Sequence, residues 1–203
     1  GDYDVVVADV QLTDRLTHAR ILLYSPPCIL IVLDEVYPST DREGEAATLG
    51  GCSQLFHLSP GLILRSAERQ RPLVFEHAKD GEPGDEMLRI FELLGPAESD
   101  IVEGLSAPIQ GWIATDHATL QPAPVVRFSN RGPKVMFATL LDFSGAWKGT
   151  TEVPPAATRA RAISRDDQIE ITWTIGRHKR GFRVRRPSMA RGSEVCDAHP
   201  LVS

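Results

Sequence analysis

Two basic side chains near the start of the chain form the first candidate site. His18 and Arg20 stand two residues apart in residues 17–24 (THARILLY), a segment whose composition predicts a β-strand. Residues two apart on a strand share one face, so both side chains can donate hydrogen bonds to one ligand, such as an acidic sugar. An ordinary solvated strand face is the alternative interpretation.

A carboxylate follows the longest apolar run of the chain. Residues 28–36 (CILIVLDEV) begin as a continuous apolar run, which is typical of a strand covered on both faces, and Asp34 lies near its end. A buried carboxylate needs a partner, and Arg20 on the preceding strand is the predicted one. We expect a structural ion pair between them. The adjacent Glu35 must point to the opposite face of the strand.

Two further side chains are candidates for contact with a sugar. His57 alternates with Phe56 and could point into a cleft, although a histidine satisfied within a sheet is the alternative. Trp112 could stack on a sugar ring, with core packing as the alternative. Trp173 is predicted to be core, because it alternates with isoleucines in residues 168–175 (QIEITWTI).

A basic cluster lies near the C-terminal end. Arg180 and Arg183 are its candidate binding residues, and the cluster could bind an acidic glycan or another polyanion. Alternatively, it protects an exposed edge strand from aggregation. Its members are Arg177, His178, Lys179, Arg180, Arg183, Arg185 and Arg186.

Sequence patterns of known catalytic and metal sites are missing. No two of the 6 histidines stand two, three or four residues apart, and no GxSxG, P-loop or GxGxxG motif occurs. Cys196 and His199 form a lone C-x-x-H, which lacks the further ligands that zinc needs. We therefore predict no catalytic residue, no metal ligand and no cofactor in this chain.

Short strand-like segments separated by Gly and Pro turns predict an all-β fold, an antiparallel β-sandwich of about a dozen strands. We expect one sandwich domain over residues 1–186 and a disordered tail over residues 187–203. Residues 87–94 fit either a strand or a short helix, and residues 130–132 predict a turn. The other predicted strands are 3–10, 17–24, 28–36, 53–58, 62–67, 72–77, 109–114, 124–129, 135–143, 159–164, 168–175 and 181–186.

Composition narrows the function classes. The chain has 203 residues, 42% of them hydrophobic, and a formal net charge of -5, which is ordinary for a globular domain and argues against a nucleic-acid partner. No apolar run is long enough to span a bilayer, and no signal-peptide pattern is visible. Cys28 is predicted to be a buried small hydrophobe, and a bridge between Cys28 and Cys52 is possible.

The order of several segments resembles the C-terminal β-sheet region of heparinase II/III-like polysaccharide lyases. The resemblance covers most of the chain as loosely spaced pieces rather than as one sharp motif. These pieces are residues 17–20 (THAR), 29–36 (ending LDEV), 56–60 (FHLSP), 109–112 (IQGW), 122–126 (PAPVV) and 138–141 (ATLL).

This resemblance implies a specific division of labour. Lyases of this family join a helical toroid to a β-sandwich and cleave acidic, uronate-containing polysaccharides by β-elimination. Their His-x-His-x-Asp stretch, metal ligands and catalytic tyrosine lie upstream of the matched part, and no position here corresponds to them. The expected partners are an acidic polysaccharide and an N-terminal toroid outside this chain, and the expected location is periplasmic or secreted.

Three interpretations stay open at this point. The chain is the sandwich portion of such a lyase and inactive by itself, or a stand-alone module that binds acidic glycans, or a purely structural sandwich. A fold does not by itself determine a function.

Overall fold

The computed structural model of the chain describes residues 3–13, 15–38, 49–67, 72–77, 84–95, 98–147, 154–186 and 199–200. Within them the chain forms eighteen strands and one turn of 3-10 helix at Ser144–Ala146, and thirteen of the strands have five residues or more. The long strands are β1 (Asp4–Thr13), β2 (Leu16–Ser25), β3 (Ile29–Pro38), β4 (Leu49–His57), β5 (Leu62–Ser66), β6 (Leu73–His77), β7 (Glu86–Glu92), β8 (Glu98–Val102), β13 (Val125–Gly132), β14 (Val135–Asp142), β15 (Ala157–Ser164), β16 (Gln168–Ile175) and β17 (His178–Arg185).

The short strands are β9 (Leu105–Ser106), β10 (Ile109–Gln110), β11 (Trp112–Ala114), β12 (Leu120–Pro122) and β18 (His199–Pro200). The strand pairs whose register is known are all antiparallel, which confirms the predicted all-β antiparallel fold.

Three sheets stack into three layers. The central sheet has seven strands in the order β1-β2-β3-β14-β7-β6-β5. A three-stranded sheet, β4-β13-β8, packs on one face, and a four-stranded sheet, β15-β16-β17-β18, packs on the other. The small pairs β9–β10 and β11–β12 are separate two-stranded sheets.

Strand β3 shows why the central sheet is covered twice. Ile31 and Leu33 pack toward the four-stranded sheet, whereas Val32 packs toward the three-stranded sheet. Successive side chains on a strand point to opposite faces, so an uninterrupted apolar run must be buried from both sides. The sequence prediction for this segment is confirmed.

Two apolar clusters join the layers. The first combines central-sheet residues with the inner face of the four-stranded sheet, where Ile171, Trp173 and Phe182 are almost fully buried. The second combines the other central face with Val126 and Phe128 of the three-stranded sheet. The first cluster thus combines residues from both halves of the chain, from Ile21 to Val184.

Several local predictions are corrected by the structure. Residues 130–132 continue strand β13 as far as Gly132 rather than forming a turn, whereas residues 87–94, for which strand and helix were both open, lie largely in strand β7. Strand β8 was not predicted, because its residues (ESDIV) are mostly polar and exposed.

The possible Cys28–Cys52 bridge is not formed. Both thiols are free, and they belong to the apolar clusters on opposite faces of the central sheet. Cys28 is 2% exposed, which confirms the prediction of a buried small hydrophobe, and burial raises the pKa of its thiol to about 11.

The C-terminal end is described only in part. His199 and Pro200 pair with Arg183 and Phe182 of β17, and the rest of the predicted tail, with Cys196, lies outside the described residues. Among the described helical residues, none forms a segment with the length and apolar character needed to cross a membrane.

The two-sided packing predicts unequal costs for the same substitution on the two faces of the four-stranded sheet. Ile171→Ala opens a cavity at a side chain that is 0% exposed and should lower the free energy of unfolding by about 2–5 kcal/mol. Ile163→Ala, on the 38% exposed outer face, is the matched control and should cost less than about 1 kcal/mol. Urea denaturation of both variants measures the difference, and equal costs would contradict the layer assignment.

Candidate functional site

A buried carboxylate organises the predicted site around His18 and Arg20. Asp34 on β3 is 3% exposed and accepts a hydrogen bond from His18 Nε2 at 2.8 Å. Arg20 Nε and Nη2 donate to its two oxygens at 2.7 and 2.8 Å, a bidentate pair. Arg20 lies directly opposite Asp34 in the β2–β3 register, so the predicted ion pair is confirmed.

Two neutral side chains complete this cluster, which we call the Asp34 network. Gln54 reaches across from β4 of the three-stranded sheet, and its Nε2 donates to Asp34 Oδ2 at 2.7 Å. Its Oε1 accepts from Thr139 Oγ1 of β14 at 2.6 Å. Sequence reasoning missed Gln54 and Thr139, although the alternation of Gln54 with Phe56 could have placed Gln54 on an inward face.

The donors around Asp34 outweigh the cost of its burial. Burial by itself raises the pKa of the Asp34 carboxyl, but the hydrogen bonds from Arg20, His18 and Gln54 together hold that pKa below its ordinary value. The hydrogen bond from Arg20 to Asp34 likewise raises the pKa of the guanidinium. The network is therefore charged, paired and fixed in position.

The solvent side of the network is partly open. The side chains of Arg20 and His18 are 44% and 26% exposed. Strand β1 continues the same face, with Val10 opposite His18 and Ala8 opposite Arg20, and Val10 is exposed. We call the exposed surface formed by His18, Arg20, Ala8 and Val10 the ledge. It presents a guanidinium and an imidazole, both held by Asp34, beside an apolar side chain, and it could bind a polar, acidic ligand.

His57 and Trp112 do not join this ledge. His57 is exposed on β4, and Gln54 and Phe56 on the same strand pack inward, so His57 lies on the outer face of the three-stranded sheet. Trp112 is half-buried in β11, where its Nε1 donates to the Leu105 carbonyl at 2.8 Å. Neither residue contacts His18 or Arg20.

Gly111 explains how the chain turns immediately before Trp112. Its φ is +78°, and a Cβ there would lie 2.6 Å from the Glu103 Cα, so only glycine fits. Its carbonyl accepts from the amides of Gly104 and Ala123, which closes the base of the small hairpins.

Arg180 and Arg183 point to opposite faces of the four-stranded sheet. Arg183 lies opposite Glu170 on the outer face, and the two side chains form an ion pair at 3.5 Å. Arg180 lies opposite the core residue Trp173 and lines an apolar cavity of about 360 Å³. The basic cluster seen in the sequence is thus not one surface, because side chains alternate along β17.

Metal ligands and the contacts of the three tyrosines matter here, because the lyases that the sequence resembles use both metal ligands and a catalytic tyrosine. Within the described ranges, no group of three or more His, Cys, Asp or Glu side chains is placed so that it could hold a metal ion. Tyr24 donates its hydroxyl to the Pro27 carbonyl, Tyr3 packs edge-on against Phe182, and Tyr37 lies beneath Lys134.

Comparison with known proteins identifies the fold. No protein-family model and no curated protein matches the sequence. Among solved structures, the heparan sulfate lyase HepC from Pedobacter heparinus is similar with a TM-score of 0.62 and 14% identity over 91% of this chain. A heparinase III gene product is similar with a TM-score of 0.61 and 15% identity over 92% of this chain.

A further heparinase III structure gives a TM-score of 0.60 at 12% identity over 92% of this chain. The chain spans 26% of the length of each of these lyases. The resemblance seen in the sequence is therefore confirmed at the level of the fold, over a partial region of those proteins.

The Asp34 network predicts a specific acid sensitivity. Asp34→Asn removes the charge that Arg20 and His18 bind and should lower the free energy of unfolding at neutral pH by about 1–3 kcal/mol. Because the folded-state pKa of Asp34 lies below its ordinary value, the wild-type advantage exists above the ordinary pKa and is lost as pH falls through the folded one.

Urea denaturation from neutral pH to below about pH 4 measures this effect. Asp100→Asn is the matched control, because Asp100 pairs with Arg127 at an exposed position and should show a smaller loss. A gap between wild type and Asp34→Asn that does not shrink in acid would contradict the stabilising role of the Asp34 charge.

Proposed function

We propose that this chain is the β-sandwich portion of a polysaccharide lyase that acts on acidic, uronate-containing polysaccharides by β-elimination. In this proposal the catalytic machinery lies outside the chain, in a helical toroid that packs against the sandwich. The observation that carries the proposal is the match of about nine-tenths of this chain to about a quarter of heparan sulfate lyase and heparinase III structures.

The ledge beside the Asp34 network supports this proposal. A substrate with carboxylate groups needs fixed hydrogen-bond donors, and Arg20 is fixed because two of its nitrogens are already bound to a buried carboxylate. The apolar residues of β1 on the same face, Val6 and Val10, are more than half exposed and offer a surface on which another domain can pack. The ledge thus suits a wall of a cleft between two domains.

Location is part of the same proposal. The resemblance to the heparinase II/III-like lyases brings the expectation of a periplasmic or secreted protein.

A stand-alone module that binds acidic glycans is the second candidate function. The observation in its favour is the basic outer face of the four-stranded sheet, which carries Arg159, Arg161, Arg183 and Arg185 among the exposed residues. This candidate requires no toroid and no elimination chemistry.

An activity comparison separates the two candidates. The protein translated from the complete natural gene and the 203-residue chain are each incubated with alginate, heparan sulfate and other uronate polymers, and the ultraviolet absorbance of the unsaturated product is followed. We expect product from the gene's full protein and none from the chain alone.

Two outcomes would contradict the lyase proposal. Product formation by the isolated chain would place catalytic groups within it. A full gene product that releases no unsaturated sugar from any uronate polymer, yet still binds them, would favour the binding module.

A further inference from the structure

A cleft on the four-stranded sheet is lined by basic and hydroxyl side chains, of which only Lys179 belongs to the basic cluster seen in the sequence. Its volume is about 610 Å³, within the usual range for ligand sites. Its lining residues are Pro72, Phe91, Thr158, Arg159, Ala160, Arg161, Thr172, Trp173, Thr174 and Lys179. No carboxylate is among them.

Strand register fixes the arrangement of the cations. Arg159, Thr174 and Lys179 lie side by side across β15, β16 and β17, and Arg161 and Thr172 form the next row. Neighbouring strands are about 4.8 Å apart and residues two apart on a strand about 7 Å, so the Cα atoms of Arg159, Arg161 and Lys179 lie at corners of a patch of roughly 7 by 10 Å.

Hydroxyl groups lie between these cations. Arg161 Nε donates to Thr172 Oγ1 at 3.4 Å, and Gly181, opposite Thr172, adds no side chain to the row. Glu170, on the same outer face, lies one row further along and is bound to Arg183. The cleft therefore places the guanidinium groups of Arg159 and Arg161 beside neutral hydroxyl groups.

We propose that this cleft binds a stretch of acidic glycan, with Arg159 and Arg161 holding its carboxylate or sulfate groups and the threonine hydroxyls contacting sugar hydroxyls. This inference rests on the proposed function for the class of ligand. Guanidinium groups match planar or multi-oxygen anions with paired hydrogen bonds, which favours arginine at such positions.

The cleft is less suited to single-stranded nucleic acid. Binding of single strands relies on exposed aromatic rings on which bases stack, whereas the aromatic lining residues here, Phe91 and Trp173, are 6% and 1% exposed. The overall charge of -5 also opposes a nucleic-acid partner.

Binding of fluorescently labelled heparan sulfate and alginate oligosaccharides to the 203-residue chain tests this proposal. The test variant is Arg159→Ala with Arg161→Ala. The control is Arg131→Ala with Arg165→Ala, which removes the same charge from exposed positions outside the cleft. We expect the test variant to raise the Kd for at least one oligosaccharide about tenfold or more, and the control to change that Kd less than about twofold.

A conservative variant, Arg159→Lys with Arg161→Lys, separates charge from geometry. It keeps the positive charge but loses the paired guanidinium hydrogen bonds, so its Kd should lie between those of wild type and the alanine variant. The urea midpoints of all variants are measured alongside to show that each is folded.

Four outcomes would overturn the proposal. These are a wild-type chain that binds neither oligosaccharide, unchanged binding by the folded test variant, equal weakening by test and control variants, and equally tight, arginine-dependent binding of single-stranded DNA. None of them decides the lyase proposal, because that is judged by elimination product from the full protein, and the two failures are therefore distinguishable.

Discussion

The hydrogen bonds to the buried carboxylate of Asp34 are the interaction on which the packing of the three-stranded sheet against the central sheet depends. Asp34 joins β2 and β3 of the central sheet through Arg20, and Gln54 extends the same network to β4 and, through Thr139, to β14. A buried carboxylate without such donors would be costly, so the position of the three-stranded sheet is tied to the hydrogen bonds that Asp34 needs. The surface residues of the ledge inherit their geometry from this buried network.

Glu35, the next residue along the chain, is a second buried carboxylate and forms ion pairs on the opposite face of the central sheet. Glu35 is buried toward the four-stranded sheet and forms ion pairs with Lys134 at 2.8 Å and Arg186 at 3.2 Å. Because neighbouring residues on a strand point apart, one Asp-Glu step provides an anchor for each covering layer. The two apolar clusters provide the buried apolar contact surface between the sheets, while Asp34 and Glu35 determine where their charged partners must lie.

The distribution of basic residues follows from the same layered construction. The four-stranded sheet turns its apolar side chains inward, so its arginines on β15 and β17 that lie opposite outward residues of β16 must face solvent. The positions of the ledge and of the basic cleft therefore follow from the way in which the two outer sheets cover the central sheet. In the proposed lyase they are separate surfaces, since the ledge lies on the face covered by the three-stranded sheet and the cleft lies on the four-stranded sheet.

Sequence alone determined most of the long strands, the double burial of β3, the Arg20–Asp34 pair and the core position of Trp173, because these depend on alternation and on neighbours in adjacent strands. It did not show that Gln54 forms hydrogen bonds with both Asp34 and Thr139, because this contact joins two different sheets. Arg180 precedes the predicted strand 181–186, so only the longer strand β17 places Arg180 and Arg183 on opposite faces. Only the tertiary structure decided that Arg159 and Arg161 share a cleft with Lys179. Strand pairing and layer stacking bring together residues that are distant in sequence. The alternation of side chains along one strand does not specify which sheets will pack against each other.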